Sequence, residues 1–217
     1  MKNLRLLLLA SCMLFLMCGC NDFWYDLSSD FIEASFYDAK IGNRSLGHVE
    51  DMLTNIYAIE GLSENEYLGI TRGSLWGNGN KSNRASLIMN KNVQEPIFRY
   101  DIYEVKIERD KVNFDGSITT VGNPIVIKDS GIIANLISLH AEGNGKREDD
   151  FKTDPESNYY NSVSFYFDLP CELIWNSSIF RDKDEDGNHI IYWRCYNVAE
   201  NREICYVVTE ILLPLLS

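Results

Sequence analysis

The chain has 217 residues, 45% hydrophobic and 12% aromatic, with 32 acidic against 20 basic residues and a formal net charge of −12. That apolar content excludes a disordered chain, and the length suffices for one good core or two small lobes. The acidic balance weighs against nucleic acid as a partner, because that affinity rests on Lys and Arg neutralising phosphates.

The N-terminal segment carries the most specific signal. Lys2 and Arg5 make a basic start, and residues 6–17 form an apolar run of secretory length, short of the roughly 20 residues a membrane span needs. The run leads into Met17-Cys18-Gly19-Cys20, which resembles the signal of a bacterial lipoprotein, although Met17 stands where Leu is usual. A rival match, Leu9-Ala10-Ser11-Cys12, leaves only residues 6–9 as a continuous apolar core, too short for a signal. The resemblance covers about a tenth of the chain. It implies that residues 1–19 are removed as a signal peptide, that Cys20 receives a diacylglycerol on sulfur, and that residues 20–30 form a lipidated tether. The protein would then be held on a membrane of the cell envelope, facing outside the cytoplasm. Two acyl chains hold a protein stably, each buried CH₂ contributing about 0.8 kcal/mol. Loss of Lys2 and Arg5 with the signal leaves 18 basic residues and a net charge of −14.

Within the tether, Phe23, Trp24 and Tyr25 are residue types suited to a membrane interface. Residues 32–37 read as a strand. Residues 45–60 read as a helix, with Leu46, Val49, Leu53 and Ile56 at helical spacing, Ser45 as N-cap and Gly61 past the end. Strand patterns follow at 67–72, 85–89, 97–107 and 111–114, separated by Gly, Asn and Asp clusters. After the apolar run 125–127, Asp129 or Ser130 caps a second helix whose face carries Ile132, Ile133, Leu136 and Leu139 or His140. A polar loop spans 142–161, and strands are expected at 162–169, 172–175, 190–197 and 205–213. Strand runs broken by two amphipathic helices predict an α+β fold with a largely antiparallel sheet. Residues 31–217 read as a single domain, with a division into two lobes near 142–161 as the alternative.

Asp182-Lys183-Asp184-Glu185-Asp186-Gly187 puts acids at alternate positions ahead of a glycine, as a calcium loop begins. Asp182, Asp184 and Asp186 would supply carboxylates and Asn188 a backbone carbonyl. The twelfth loop position is Trp193 instead of a bidentate Glu, and a plain Asp-Gly turn between two strands competes with the calcium reading. Besides Cys20, the mature chain keeps Cys171, Cys195 and Cys205. A hairpin around residues 199–202 would set Cys195 and Cys205 opposite or one register step apart. A Cys195–Cys205 disulfide is then one expectation and buried free thiols the other. No spacing of Cys and His suits structural zinc.

His48, His140 and His189 sit in no recognisable catalytic context, and GxSxG, HExxH, P-loop and GxGxxG patterns are absent from the sequence. Glu104, Glu108 and Asp110 read as the solvent face of a strand; a glycosidase pair among them would need a separation that sequence cannot supply. The aromatic residues Tyr159, Tyr160, Phe165, Tyr166, Phe167 and Trp175 read as core and cross-strand pairs, with sugar or peptide stacking as the sharper alternative. Two functions follow as expectations. The first is a noncatalytic envelope module that binds a protein or ligand, an inhibitor of a basic partner being one instance. The second is a surface hydrolase or carbohydrate-acting enzyme.

Overall fold

A computed structural model describes residues 30–48, 54–72, 83–112, 118–143, 145–147, 159–183, 187–197 and 202–216. Cys20, the signal and most of the tether lie outside the described residues, as do Asp184 and Asp186. The described part is mostly antiparallel sheet with two helices. None of its helices is long and apolar enough to cross a membrane.

Four strands open the fold: β1 (Phe31–His48), β2 (Thr54–Ile59), β3 (Tyr67–Arg72) and β4 (Arg84–Asn90). Their pairing closes on itself, since β1 pairs with β2, β2 with β3, β3 with β4 and β4 with β1 again. One long strand serves two neighbours because its ladder with β4 ends near Lys40 and its ladder with β2 begins at Ile41. Ile56, Leu68, Ile70 and Ile88 form a small apolar cluster within this group.

Here the expected helix over 45–60 is overturned. Residues up to 48 belong to β1 and residues from 54 to β2, paired in register Ile41↔Ile59 and His48↔Asn55. Thr54, Ile56, Tyr57 and Ile59 are types that suit a pleated surface, and cross-strand pairing outweighs a helical period that was carried by only four apolar residues.

The larger group comprises β5 (Ile102–Val112), β6 (Ile118–Thr120), β7 (Ile125–Ile127), β8 (Lys146–Arg147), β9 (Tyr159–Phe167), β10 (Ile174–Lys183), β11 (His189–Asn197) and β12 (Arg202–Val207). Both β6 and β7 pair with β5, after which the order runs β5-β9-β10-β11-β12-β8. The two groups meet where Tyr37 and Asp38 of β1 pair with Trp175 and Ile174 of β10. Around the loop proposed as a lobe boundary, β8 and β9 belong to this same sheet, and one apolar core extends from Ala34 and Leu87 to Trp193 and Leu212.

Helix α1 (Ser130–Glu142) is the second expected helix. Asp129 caps it, its carboxylate accepting from the N–H groups of Gly131 and Ile132 at 2.8 and 3.0 Å, and Gly143 closes it in the left-handed region. Ile133, Leu136 and His140 are its buried face. The strand expected over 205–213 is overturned at its far end: β12 stops at Val207 and α2 (Thr209–Leu216) follows. The N–H of Ile191 donates to Thr209 Oγ1 at 2.9 Å, so β11 itself holds the start of this helix. Trp193, Tyr206, Phe165 and Trp175 carry the sheet's inner face into the core with both helices.

Candidate functional site

Edge pairing along β10 changes partner part-way. Trp175 pairs with Tyr37 of β1, whereas Ser178 pairs with Arg194 of β11. Asn176 and Ser177 lie between the two ladders, and a groove of about 350 Å³ opens at this fork. That volume is at the lower end of the range for small-ligand pockets.

Side-chain alternation explains the lining. Trp175 points into the core, so Asn176 faces outward, and on β11 Arg194 faces outward while Cys195 points inward; Phe36 lies at an irregularity of β1 between Ala34 and Asp38 and, like Tyr196, is half-buried against the core. Where the strands part, the floor reaches the inward residues Ser177 and Cys195. Phe36 and Tyr196 meet across the fork with ring centroids 5.0 Å apart.

Hydrogen bonds orient most of the polar groups. Ser164 Oγ donates to Asn176 Oδ1 at 2.9 Å, which directs the amide NH₂ of Asn176 away from that oxygen as a two-proton donor. Ser177 Oγ accepts from Trp193 Nε1 at 2.9 Å and donates to the carbonyl of Val163 at 3.3 Å. Arg194 Nε donates to Ser178 Oγ at 2.9 Å, and Arg194 Nη1 stands 3.9 Å from Glu203 Oε2. The groove thus presents an oriented cation, a carboxylate beside it, an amide and two aromatic rings.

Behind the floor, Cys195 Sγ lies 3.4 Å from His140 Nδ1. The His140 ring stacks on Phe98 and contacts Trp175, Trp193 and Tyr206, at centroid distances of 5.2 to 6.0 Å. Burial drives the His140 pKa down to about 4, and burial drives the Cys195 thiol well above its ordinary value. At neutral pH this is a thiol beside a neutral imidazole. A nucleophilic Cys–His pair requires the opposite shifts, toward thiolate and imidazolium.

No disulfide joins Cys195 to Cys205 in the structure: Cys171, Cys195 and Cys205 are buried thiols. Cys195 stands opposite Ile204, and Cys205 opposite Arg194. One register step puts the two sulfurs on opposite faces of the sheet.

At the calcium motif, Asp182 pairs with Ile190 inside the β10–β11 hairpin, and Gly187, at φ 83°, and exposed Asn188 precede β11. Trp193, the twelfth position, is buried in the core with its indole N–H on Ser177. Among the described residues, no three His, Cys, Asp or Glu side chains gather as a metal cluster.

Of the strand acids, Glu104 lies against Lys106 and Lys128 at 3.3 and 3.1 Å. Its burial raises the carboxyl pKa, but the two ammonium groups outweigh that, leaving it below the usual value. Asp110 accepts from Thr120 Oγ1 and Ser162 Oγ at 2.8 and 2.7 Å. The expected aromatic cluster divides by face: Phe165, Phe167 and Trp175 are core, whereas Tyr166 sits outside beneath the Lys106 ammonium, 4.6 Å from its ring centroid. Sequence reasoning missed Ser35, Phe36, Asn176, Arg194 and Glu203. No local motif marks them, since they come from four strands and converge only in the fold.

Comparison of the chain with family models, with curated proteins and with solved structures found no match.

Proposed function

We propose that the mature protein is a lipid-anchored module of the cell envelope that binds a ligand or partner and performs no chemistry on it. The groove at the β1/β10/β11 fork carries this reading, because its polar groups are oriented by neighbours and are arranged for recognition. The shifts of the buried titratable groups support binding over catalysis. Glu104 is held toward its ionised form by lysines, His140 toward its neutral form and Cys195 toward its protonated form. The Met17–Cys20 signal supports attachment through Cys20. A calcium ion at Asp182, Asp184, Asp186 and Asn188 is a subsidiary proposal, resting on the alternate carboxylates ahead of Gly187.

The test is to express the tagged precursor in its own host with an alkyne fatty acid, crosslink, and compare wild type with Cys20→Ser and Ser35→Trp. Label and membrane association should vanish in Cys20→Ser. A stoichiometric partner or small ligand should be present with wild type and missing with Ser35→Trp, whose indole fills the groove. Equal labelling in Cys20→Ser overturns the anchor, and an empty wild-type groove overturns the binding reading.

A further inference from the structure

The groove's chemistry narrows the ligand. Arg194 and Glu203 stand side by side on its wall, 3.9 Å apart, with side chains 33% and 43% exposed. An anionic ligand gains Arg194 but meets Glu203, and a cationic one the reverse, so the pair offers little net attraction to a charge of either sign. A ligand with separated charges competes with the pairing of the two for the same groups. A neutral ligand that both donates and accepts hydrogen bonds leaves the pair intact and uses it, taking N–H from the guanidinium and giving O–H to the carboxylate.

The other groups ask for the same chemistry. Asn176, exposed and anchored through Oδ1 by Ser164, offers its NH₂. The exposed Ser35 hydroxyl at the rim both donates and accepts. Phe36 and Tyr196, half-buried against the core and in contact at 5.0 Å with an inclination of 33°, give one wall their remaining aromatic surface. Planar polar groups next to aromatic rings match a molecule with hydroxyls on its edges and C–H groups on its faces. A volume of about 350 Å³ in an open groove accommodates one or two such rings with the chain continuing into solvent.

We infer that the fork between β1, β10 and β11 is a binding site for a neutral saccharide, held by Asn176, Arg194 and Glu203 against the Phe36–Tyr196 rings. This rests on the binding-module reading and specifies its ligand class.

The experiment uses the full mature chain in a sugar-free detergent and isothermal titration with cellotetraose, maltotetraose, xylotetraose, mannotetraose and chitotetraose. A counter-panel holds free amino acids and short peptides. At least one oligosaccharide should bind with a Kd below 1 mM, weaken tenfold or more in Asn176→Ala, and be lost in Ser35→Trp, both variants melting as wild type does. If either variant melts low, Glu203→Gln, a change at an exposed position of β12, takes its place and should weaken the same sugar. Saccharide binding that none of these changes alters, or no saccharide binding, overturns the inference. An amino acid or peptide that binds wild type and is lost in Ser35→Trp overturns the saccharide class but preserves the binding-module reading. Silence across both panels, with no partner crosslinked, overturns both.

Discussion

Cys195 Sγ lies 3.4 Å from His140 Nδ1, joining the middle of β11 to the end of α1 directly beneath the groove floor. With the imidazole proton on Nε2, Nδ1 accepts from the thiol, whose other acceptor in reach is the carbonyl of Ile204 at 3.8 Å. Tyr206 Oη donates to the carbonyl of His140 at 3.4 Å, so the last turn of the helix is tied to the sheet through side chain and backbone alike.

That burial makes stability pH-dependent. His140 titrates near 4 when folded and at about 6.5 when unfolded, so between those values the unfolded chain binds more protons and stability rises with pH. Falling pH should remove about 3 kcal/mol between 6.5 and 4 through this residue alone. His140→Phe keeps a ring against Phe98 and Trp175 but cannot titrate. Urea denaturation at pH 7 and pH 4.5 should show a smaller acid loss in the variant than in wild type; equal losses would place His140 in contact with water.

Opposite faces keep Cys195 and Cys205 apart even in an oxidising compartment. Maleimide labelling of the mature domain in guanidinium without reductant should therefore mark Cys171, Cys195 and Cys205, and the folded protein should label far more slowly because all three are buried. Two missing labels in the denatured sample would reveal a disulfide and refute the register.

Two glycines beyond α1 should respond differently to alanine. At Gly145 a Cβ would run into the Ile204 side chain and come within 2.9 Å of Tyr206 Cε1 and 3.1 Å of the Cys205 carbonyl. Gly145→Ala should cost about 1 to 3 kcal/mol through overpacking against β12. At Gly143 the space is open and only φ 66° opposes a side chain, so Gly143→Ala should cost about 1 kcal/mol. Urea midpoints of the two variants decide the order, which reverses if residue 145 does not pack on β12.

For calcium, three alternate aspartates without a bidentate twelfth ligand predict an affinity of the order of 1 mM. At about 10 mM calcium such a site adds about 1.4 kcal/mol relative to EDTA. A raised melting temperature that disappears in Asp186→Asn would support the site; identical melting in both conditions would leave a turn between β10 and β11 and nothing more.

How far the sequence could be read depended on how local each decision was. Helix α1 was legible from Asp129, the apolar spacing and Gly143, because capping and helical contacts lie within four residues of one another. Strand β3 was legible to the residue, and the pairing of β11 with β12 was legible in outline, although Arg202, expected in the turn, is the first residue of β12. The segment 45–60 was not, since its apolar residues satisfied a helical spacing while pairing with Ile41 and β3 was invisible in one dimension. The switch from β12 to α2 at Val208 was likewise hidden, being held by the distant Ile191 N–H on Thr209.

By itself the sequence determined the acidic balance, the lipoprotein-like start, the predominance of strands and the capped helix before the polar loop. Composition and interactions between near neighbours decide these. Only the tertiary structure decided the closed pairing of β1–β4, the opposite orientation of Cys195 and Cys205, the burial of His140 and the groove where β10 changes partner. Each depends on register between segments far apart in the chain, and a shift of one residue turns every side chain of a strand to the other face.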